Sequence, residues 1–485
     1  MMPVPSLDQL LAALVREDLL ASAPDLRPEP RGISTDSRRV RPGDLYLAVR
    51  GTQFDGHRFA EDAVQRGAVL VAGESAMGSG APELIVRDGF RAAVILAREW
   101  FGNPAASLEL VGVTGTNGKT TTTGLVRHIL NQSGSAASLG TLGAFDGAGA
   151  AVPSTAGSLT TPGPVDLMAT LAELRRRGTT HVAMEASSHS LDQRRLDGLT
   201  FAVGVFTNLT RDHLDYHETM DRYRDAKLRL VDYLGLHGTA VLNADDPAWA
   251  QARAPRTITF GITAAADVRA ADLRLESGGS RFRLAGRFGN AEVALPLLGD
   301  FNVSNALAAA GAGLALDLPL STIAARLSES PQVPGRMERI ADRPCVVLRD
   351  YAHTPDALER ALQTLDPLTA RRLIVVFGCG GDRDRGKRPI MGRVAAEHAD
   401  LAIVTSDNPR TEDPAKIIAD IEAGMGTAPR VAIVDRREAI ERALAEAREG
   451  DTILLAGKGH ETYQVIGTDK LPFDEREIVR AAGAE

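Results

Sequence analysis

The chain has 485 residues, 44% of them hydrophobic and 24% charged, and its formal net charge is -8. This composition is typical of a globular protein and argues against disorder, and at roughly 150 residues per domain the length predicts about three domains. The acidic balance and the lack of a basic run exclude a protein that coats nucleic acid.

The cysteine content and the apolar segments indicate a cellular compartment. Cys345 and Cys379 are too few for a disulfide framework, which favours a reducing environment. Charged residues interrupt the leucines near the N-terminus, so we expect no signal peptide. The longest apolar stretch, Ala306–Leu316, is too short to span a bilayer and is predicted to be a core helix. We therefore expect a monomeric cytoplasmic protein with no membrane or nucleic-acid partner.

The first two-thirds of the chain show two patterns. Residues 1–106 mix short apolar runs with turn signals, which predicts a small α/β domain. In residues 107–333, strands alternate with helical stretches, which predicts a central domain with a mostly parallel sheet. The predicted strands of this domain are Leu108–Val113, His181–Ala186, Phe201–Thr207 and Thr239–Leu242.

After a break near residues 332–335 the alternation starts again. Residues 334–485 are predicted to form a second doubly wound, Rossmann-like domain, and such sheets bind ligands at the carboxyl ends of their strands. Its predicted strands are Cys345–Leu348, Leu373–Phe377, Leu401–Thr405, Val431–Val434 and Thr452–Leu455. The predicted fold class is therefore α/β with three domains.

The segment Thr114–Thr120, T-G-T-N-G-K-T, follows a predicted strand and opens a helix. Its glycines allow backbone N–H groups to face phosphate oxygens, Lys119 can reach the β- and γ-phosphates, and the Thr120 hydroxyl can ligate Mg²⁺. The general phosphate-loop pattern has a further glycine where this chain has Val113. Motors, switches, kinases and ligases all share such a loop, so it predicts nucleotide binding but not the reaction.

A carboxylate and an imidazole lie just past two other predicted strands. Glu185 belongs to M-E-A-S-S-H, and His213 belongs to T-N-L-T-R-D-H-L-D-Y-H. A Mg²⁺ ion beside ATP takes carboxylate, hydroxyl and sometimes imidazole ligands. A single Glu or His is more often structural, so the residues alone leave both interpretations open.

These motifs, taken together and in order, resemble the Mur ligase family. The resemblance runs from Asp36-Ser37-Arg38 to Glu461 and includes, besides the three segments above, F-N-V-S-N-A-L-A-A, D-Y-A-H-T-P-D, C-G-G-D-R-D-R-G-K-R-P, D-N-P-R and G-K-G-H-E. It implies an N-terminal domain that holds the UDP end of a substrate, a central ATPase and a C-terminal domain for an incoming amino acid.

The resemblance also implies an ATP site and a Mg²⁺ site. The implied ATP-binding residues are Gly115, Thr116, Asn117, Gly118, Lys119, Thr120, Thr121, Asn302, Asn305, Arg336 and Asp350. The residues implied around Mg²⁺ are Thr120, Glu185, His213 and Lys227, and the implied catalytic residues are Lys119, Lys227, His213 and Glu185. Lys227 matches a position where the family carries a carbamylated lysine, although the sequence alone favours a solvated helix residue.

Two further groups of residues match the family's substrate contacts. For the UDP-substrate they are Ser37, Thr52, Gln53, Phe54, Thr160, Thr161, Ser187, Gln193 and Arg195. For the amino acid they are Arg383, Asp407, Asn408, Pro409, Arg410, Gly457 and Glu461. Arg383 and Arg410 could pair with the carboxylate that lysine lacks, while Asn408-Pro409 also fits a plain surface turn. Leu159 departs from the family, since some members have Asn there.

The implied reaction joins an amino acid to a carboxylate in peptidoglycan synthesis. ATP phosphorylates the D-Glu carboxylate of UDP-N-acetylmuramoyl-L-alanyl-D-glutamate, and the amine of meso-diaminopimelate then attacks the acyl phosphate. His353 is a candidate general base, and a structural role is equally open. The alternatives are the same ligase with L-lysine or L-ornithine, a folylpolyglutamate synthase-like ligase, and a P-loop switch.

Overall fold

The structure is a computed structural model that describes residues 4–51, 54–132, 134–153 and 160–484, and within them the chain forms 15 α-helices and 24 strands. The chain divides into two compact units. The first consists of Met1–Arg269, Gly286–Phe288 and Asn305–Ile323, and the second of Ala270–Ala285, Gly289–Ser304 and Ala324–Glu485.

The first unit begins with a small five-stranded sheet. Its strand order is β1-β5-β4-β3-β2, in which β2 to β5 pair in parallel and β1 is antiparallel at the edge. Its elements are α1 (Leu7–Arg16), β1 (Leu20–Ser22), β2 (Gly32–Ser34), β3 (Asp44–Leu47), α2 (Ala60–Gln65), β4 (Leu70–Gly73), β5 (Glu83–Val86) and α3 (Gly89–Trp100). Helix α1 starts at a capping box, in which Ser6 and Gln9 satisfy each other's backbone N–H groups.

A larger sheet follows in the same unit. Its elements are β6 (Glu109–Thr114), α4 (Lys119–Leu130), β7 (Ala136–Gly140), β8 (Gly143–Phe145), β9 (Ala151–Val152), α5 (Pro164–Arg176), β10 (His181–Glu185), α6 (Ser188–Asp192), β11 (Phe201–Phe206), α7 (Leu214–His217), α8 (Met220–Leu228), β12 (Leu234–Asn243) and β13 (Arg256–Gly261). Among the described residues these eight strands belong to an eleven-stranded sheet and have the order β9-β8-β7-β10-β6-β11-β12-β13, parallel from β7 to β13 and antiparallel at the β8 and β9 edge. The carboxyl ends of β6, β10 and β11 therefore lie at one edge of this sheet.

The second unit contains a mostly parallel six-stranded sheet and smaller β-structure. The six strands have the order β17-β18-β22-β19-β20-β21, and only the edge pair β17–β18 is antiparallel among the described pairs. The residues of β14 (Val268–Glu276), α9 (Asp300–Ala315) and α10 (Leu320–Ser328) are divided between the two units. The remaining elements are β15 (Gly279–Gly286), β16 (Gly289–Leu295), β17 (Glu338–Ala341), β18 (Val346–Asp350), α11 (Pro355–Leu365), β19 (Leu373–Phe377), α12 (Lys387–His398), β20 (Leu401–Val404), α13 (Pro414–Glu422), β21 (Arg430–Ala432), α14 (Arg436–Glu446), β22 (Thr452–Ala456), β23 (Tyr463–Ile466), β24 (Asp469–Pro472) and α15 (Glu475–Ala481).

The predicted α/β class and mostly parallel sheets are confirmed, and each predicted strand is present within a few residues of its expected bounds. The apolar stretch after Asn305 lies in α9 as far as Ala315, and its other alanines are buried. No helix in the described parts of the chain has the length and apolar character needed to cross a membrane. The division into three domains at residues 106 and 333 stays a prediction.

Candidate active site

The loop between β6 and α4 has a shape that only glycine permits at two positions. Gly115 has a φ of +145°, and a Cβ there would lie 1.8 Å from Thr207 Oγ1. Gly118 has a φ of +84°, and a Cβ there would lie 2.2 Å from Asn305 Oδ1. Both glycines are therefore needed for the close approach of neighbouring side chains as well as for the left-handed backbone.

Residues that follow β11 hold this loop from one side. Thr207 Oγ1 donates to the carbonyl oxygen of Asn117 at 2.7 Å, and Asn117 N donates to Asn208 Oδ1 at 2.9 Å. The Thr116 hydroxyl donates to the carbonyl of Thr210 at 3.1 Å. Thr207 and Asn208 were not among the predicted site residues, although both belong to the motif that contains His213.

Lys119 opens helix α4 directly after the loop. Its Nζ donates to the carbonyl oxygens of Gly115 at 3.0 Å and Thr116 at 2.7 Å, so the ammonium lies over the loop. The N-cap residue Gly118 has no side chain with which to cap the first turn. Backbone N–H groups and a positive helix end therefore face the same place as the Lys119 ammonium, which is an arrangement suited to phosphate.

Lys227, on α8, is buried rather than solvated, so the expectation from its sequence context alone is wrong. Its side chain is 1% exposed, and Nζ donates to the Gly115 carbonyl at 2.6 Å. The same Nζ lies 4.3 Å from the centre of the Tyr223 ring. Burial, with a smaller effect of the Lys119 charge, lowers the pKa of Lys227 well below its usual value. A neutral amine is therefore favoured at this position.

Glu185 ends strand β10, and its carboxylate is buried. Thr141 donates to both carboxylate oxygens, from its backbone N to Oε1 at 2.9 Å and from its hydroxyl to Oε2 at 3.0 Å. A Cβ on Gly140 would lie 2.3 Å from Oε1, so that glycine makes room for the carboxylate. Among the residues described, no Lys, Arg or His side chain forms an ion pair with Glu185, which leaves its charge uncompensated.

His213 lies in a cluster of aromatic rings on the loops and helices after β10 and β11. Its backbone is left-handed, with a φ of +53°, and its ring lies 4.9 Å from that of His189 and 6.1 Å from that of Tyr223. Burial lowers the pKa of His213, and burial together with the nearby His213 and His217 lowers the pKa of His189 to about 4. Neutral imidazoles with lone pairs are therefore favoured here. In the described parts of the chain, no three His, Cys, Asp or Glu side chains are arranged to hold a metal ion.

Several residues expected to bind the UDP-substrate lie around the start of α6. The Thr161 hydroxyl is buried and donates to the backbone carbonyl of Glu185 at 2.9 Å, and Ser187 caps α6 by accepting from the backbone N of Ser190. Arg195 donates to the Thr161 carbonyl at 3.2 Å and to the Gln193 side chain at 2.5 Å. These contacts assemble Thr161, Ser187, Gln193 and Arg195 into one group, and Thr160 joins it through the hydroxyl of Thr141.

The residues expected to bind the uridine end of the substrate differ in burial. Ser37 is buried at the start of a short 3₁₀ helix, whereas the Phe54 side chain is exposed. Thr52, Gln53 and Leu159 lie outside the described residues.

The remaining expected ATP residues lie on α9 and around β18. Asn302, on α9 in the second unit, donates from its amide to the Leu298 carbonyl at 2.8 Å. Asn305, one turn later and in the first unit, accepts from the Thr122 hydroxyl of the same unit. Arg336 lies over the ring of Tyr351 at 4.7 Å. Burial raises the pKa of the adjacent Asp350, against the opposing charge of Arg336. His353 is turned back on its own loop, since Nδ1 lies 2.7 Å from the Tyr351 carbonyl.

The segment Asp407–Arg410 follows β20 and faces the loop after β19. Arg410 Nη1 donates to the Gly381 carbonyl at 2.8 Å. A Cβ on Gly380 would lie 3.0 Å from Arg410 Nη1 and 3.9 Å from Arg383 Cγ, so both arginines flank this glycine. Within the described residues neither guanidinium pairs with a carboxylate, and both therefore remain able to bind one.

In the same region Lys458, which was not among the predicted site residues, links Asn408 and Glu461. Lys458 is fully buried, and its Nζ donates to Asn408 Oδ1 at 2.6 Å and to Glu461 Oε2 at 3.3 Å. Gly457 has a φ of +113°, and a Cβ there would lie 3.7 Å from Asp407 Cγ. Lys458 belongs to the motif G-K-G-H-E, which could have indicated its role, but only Gly457 and Glu461 of that motif were predicted to bind the amino acid.

A buried ion pair supports this part of the second unit. Arg436 and Glu475 are fully buried and 2.8 Å apart, and Arg436 also donates to the backbone carbonyls of Ser406 and Ala456. The carbonyls belong to the ends of β20 and β22, from which the Asp407–Arg410 and Gly457–Glu461 segments start. Arg436 therefore ties together the two loops that carry the expected amino-acid site.

Comparisons with known proteins identify the family. Three family models match: "Mur ligase family, catalytic domain" over residues 29–106, "Mur ligase middle domain" over 113–313 and "Mur ligase, glutamate ligase domain" over 335–459. A Geobacillus kaustophilus (strain HTA426) protein named UDP-N-acetylmuramoyl-L-alanyl-D-glutamate--2,6-diaminopimelate ligase is 46% identical over 471 residues, which cover 94% of this chain and 96% of that protein.

Solved structures agree with these matches. A structure titled as a UDP-N-acetylmuramoyl-L-alanyl-D-glutamate--2,6-diaminopimelate ligase is 36% identical, covers 99% of both chains and has a TM-score of 0.67. A Thermotoga maritima MurF ligase in complex with ADP has a TM-score of 0.67 and covers 89% of this chain and 94% of its own, and at 21% identity it shows the fold alone. The chain belongs to the Mur ligase family.

Proposed function

We propose that this chain is an ATP-dependent ligase that joins meso-diaminopimelate to UDP-N-acetylmuramoyl-L-alanyl-D-glutamate. The observation that carries the proposal is the pair Arg383 and Arg410, which flank Gly380 and pair with no described carboxylate. Two carboxylates distinguish diaminopimelate from lysine and ornithine, so a free guanidinium favours the first. The names of the relatives at about 46% identity support the same substrate.

ATP would bind at the loop between β6 and α4. The backbone N–H groups at the start of α4 and the Lys119 ammonium would contact its phosphates. Lys119 would exchange the carbonyls of Gly115 and Thr116 for phosphate oxygens, and because the carbonyls are uncharged acceptors, a charged phosphate is the stronger partner. Asn302, Asn305, Arg336 and Asp350 are the proposed contacts to the rest of the nucleotide.

The residues around the loop also fit a Mg²⁺ ion. Glu185 offers a buried carboxylate with no cationic partner among the described side chains, Thr120 offers a hydroxyl, and His213 offers a neutral imidazole. The ion, when bound, would neutralise negative charge on the transferring phosphoryl group. Thr141 would keep the Glu185 carboxylate oriented, because it donates to both oxygens.

Lys227 would complete this set as a carbamate. The neutral amine adds to the carbon of CO₂ and releases one proton, which yields an anionic N-carboxylysine. Burial favours the neutral amine that this addition needs, and Tyr223 and the Gly115 carbonyl fix its position. The nearby Lys119 charge would then attract the carbamate rather than repel an ammonium.

The muramoyl dipeptide would lie beside the start of α6. Arg195, held by Thr161 and Gln193, supplies the guanidinium that an anionic substrate group requires. The hydroxyls of Thr160, Thr161 and Ser187 supply further donors. Ser37, Thr52, Gln53 and Phe54 are the proposed contacts at the uridine end.

The reaction has two steps. The D-Glu carboxylate oxygen attacks the γ-phosphorus of ATP, which releases ADP and forms an acyl phosphate. The neutral amine of the amino acid then attacks the acyl carbon, loses a proton and expels inorganic phosphate. The chain's contribution is mostly positioning and charge neutralisation, and we assign no general base, because His353 is turned toward its own loop.

The incoming amino acid would be held by residues 407–410 together with Arg383, Gly457 and Glu461. A folylpolyglutamate synthase-like ligase would share the ATP site but has no use for Ser37, Thr160 and the Asp407–Arg410 segment together. A P-loop switch would hydrolyse ATP without an amine. We further propose that the protein is a cytoplasmic monomer that binds no nucleic acid, with domains 1–106, 107–333 and 334–485.

The test is a substrate-omission assay with the purified chain. Phosphate release should require both the UDP-dipeptide and an amino acid, and mass spectrometry should find the diaminopimelate product when the three diamino acids compete. Replacing Arg410 with Lys should lower kcat/KM for diaminopimelate by about 10- to 100-fold, because a bidentate charged contact is lost, and should change kcat/KM for lysine much less. A product with lysine or ornithine instead, or amine-independent ATP hydrolysis, contradicts the proposal.

A further inference from the structure

Lys458 is a buried cation at the centre of the expected amino-acid site. Its side chain is fully buried, and its Nζ donates to Asn408 Oδ1 at 2.6 Å and to Glu461 Oε2 at 3.3 Å. Asp407 Oδ1 lies 3.3 Å from the same Nζ and forms an ion pair with it but no hydrogen bond. Lysine is rarely buried without such pairing, which indicates a specific role.

The contacts of Lys458 fix the orientation of the Asn408 amide. Asn408 Oδ1 accepts from Lys458 and from the backbone N of Val465 at 2.9 Å, while Nδ2 donates to Glu461 Oε2 at 3.0 Å. Rotating the amide by half a turn would put its NH₂ group against two donors. The direction in which Asn408 and Glu461 present their remaining polar atoms is therefore set by Lys458.

Lys458 also sets the charge of this site. Asp407 and Glu461 are mostly buried, with side chains 10% and 15% exposed. Without a cation, two carboxylates would face one another where solvent screens them poorly. With Lys458 between them, these three side chains together carry a single net negative charge, which suits one substrate ammonium, while Arg383 and Arg410 remain positive partners for a substrate carboxylate.

We propose that Lys458 is a positioning residue for the incoming amino acid: it orients Asn408 and Glu461 and leaves the cluster of Asp407, Lys458 and Glu461 one negative charge to receive the amino acid's ammonium. This inference rests on the proposed function, since it concerns the same amino-acid site. Lys458 acts through its partners and need not touch the substrate.

The experiment measures kcat and the KM of each substrate for Lys458→Met. The KM for meso-diaminopimelate should rise by about 10- to 100-fold, because hydrogen bonds to charged groups are lost, while kcat and the KM values for ATP and the UDP-dipeptide should change by less than about threefold. Lys458→Arg, which keeps the charge, should recover part of the affinity. In Lys458→Met/Glu461→Gln, the second substitution should add less than about threefold in KM, because both act through one network.

Lys470→Met is the matched control. Lys470 lies in the hairpin of β23 and β24, is exposed, and has its Nζ 4.4 Å from the centre of the Tyr463 ring, which Lys458 also approaches at 6.0 Å. The control removes the same charge beside the same ring and should leave every kinetic constant unchanged.

Other outcomes separate the inference from the proposed function. If wild-type protein ligates none of the diamino acids, the proposed function fails. If it does and folded Lys458→Met keeps the wild-type KM for the amino acid, or loses kcat and all three KM values together, the inference alone is wrong. Should Lys458→Met unfold, Lys458→Gln and Lys458→Arg replace it, since both keep a donor toward Asn408. Failure of all three to fold would assign Lys458 a structural role instead.

Discussion

Replacing Lys227 with Met tests the protonation state of a lysine that the fold buries completely. Within the described residues the amine donates to the Gly115 carbonyl alone, and it lies over the Tyr223 ring. Burial and the charge of Lys119 lower the pKa of Lys227 well below 10.5, the value expected for an exposed lysine. The free amine is therefore neutral in the folded protein and charged in the unfolded chain at any pH between the lowered folded pKa and the unfolded pKa of 10.5.

The sign of the pH dependence follows from this difference. Between the lowered folded pKa of Lys227 and its unfolded pKa of 10.5, the unfolded state binds one proton more than the folded state. The free energy of unfolding should then rise with pH by about 1.4 kcal/mol per unit, and the penalty should vanish above the unfolded pKa. Met carries no proton, so Lys227→Met should lack this slope. The variant should be the more stable protein at low pH, and its advantage should shrink by up to about 1.4 kcal/mol per pH unit once the pH exceeds the lowered folded pKa of Lys227.

The assay is urea unfolding in CO₂-free buffer, followed by tryptophan fluorescence. The chain has two tryptophans, Trp100 and Trp249, and both belong to the unit that contains Lys227, so the signal reports the relevant unit. Arg224→Met on the same helix is the control, because its ion pairs with Asp221 and Asp225 are partly exposed and should give a small, pH-independent change.

A difference between Lys227→Met and wild type that stays constant with pH would refute the reasoning, because it would mean that Lys227 is charged in the folded protein. Bicarbonate adds a second readout. If the folded protein takes up CO₂ at this amine, bicarbonate should raise the free energy of unfolding of the wild type and leave that of Lys227→Met unchanged.

Two further predictions use matched controls. Gly118→Ala should abolish ATP consumption, because the new Cβ would lie 2.2 Å from the Asn305 side chain. Its control is Gly178→Ala, which has a similar φ of +82° and nothing within 4 Å of the added Cβ, and which should cost about 1–2 kcal/mol of stability and keep full activity. Equal activity of the two variants would contradict the role of the loop. Arg436→Met should lower the free energy of unfolding, measured in urea, by about 3–5 kcal/mol, because it leaves Glu475 as an uncompensated buried charge. Its control is Arg430→Met, which breaks a partly exposed ion pair and should lower the free energy of unfolding by less than about 1 kcal/mol. A similar cost for both arginines would show that the buried pair is not needed.

The parallel sheets could be predicted from the sequence because their strands are buried on both faces and appear as continuous apolar runs. Leu373–Phe377 is such a run, and the structure has a strand with the same bounds. The strands that were missed have a different pattern. Most side chains of β14 are partly or fully exposed, and β9 has only two residues, so neither shows an apolar run. A strand that is short or largely exposed is stabilised by hydrogen bonds to its neighbours, and these bonds leave little trace in its own amino-acid composition.

The parts of the candidate site that need an unusual backbone conformation could be predicted from the sequence. The parts that depend on burial by distant residues could be predicted less well. The glycines of the phosphate loop stand out because any other residue clashes. The burial of Lys227 does not, because α8 has a mostly polar sequence and the residues that enclose this lysine come from other parts of the chain. Thr141, which holds the Glu185 carboxylate, is 44 residues away in sequence and carries no motif of its own.

Lys227 and Lys458 show why residue type alone does not assign a role. Both are buried lysines on segments that the sequence marks as polar. Lys227 meets an uncharged carbonyl, an aromatic face and the field of another cation, so its environment favours the loss of a proton and leaves a nucleophilic amine. Lys458 meets an amide oxygen and two carboxylates, an environment that holds a cation in place. The first environment suits a lysine that reacts with CO₂, and the second suits one that orients its neighbours. The groups that surround each lysine, rather than the lysine itself, therefore decide whether it loses its proton or stays a cation.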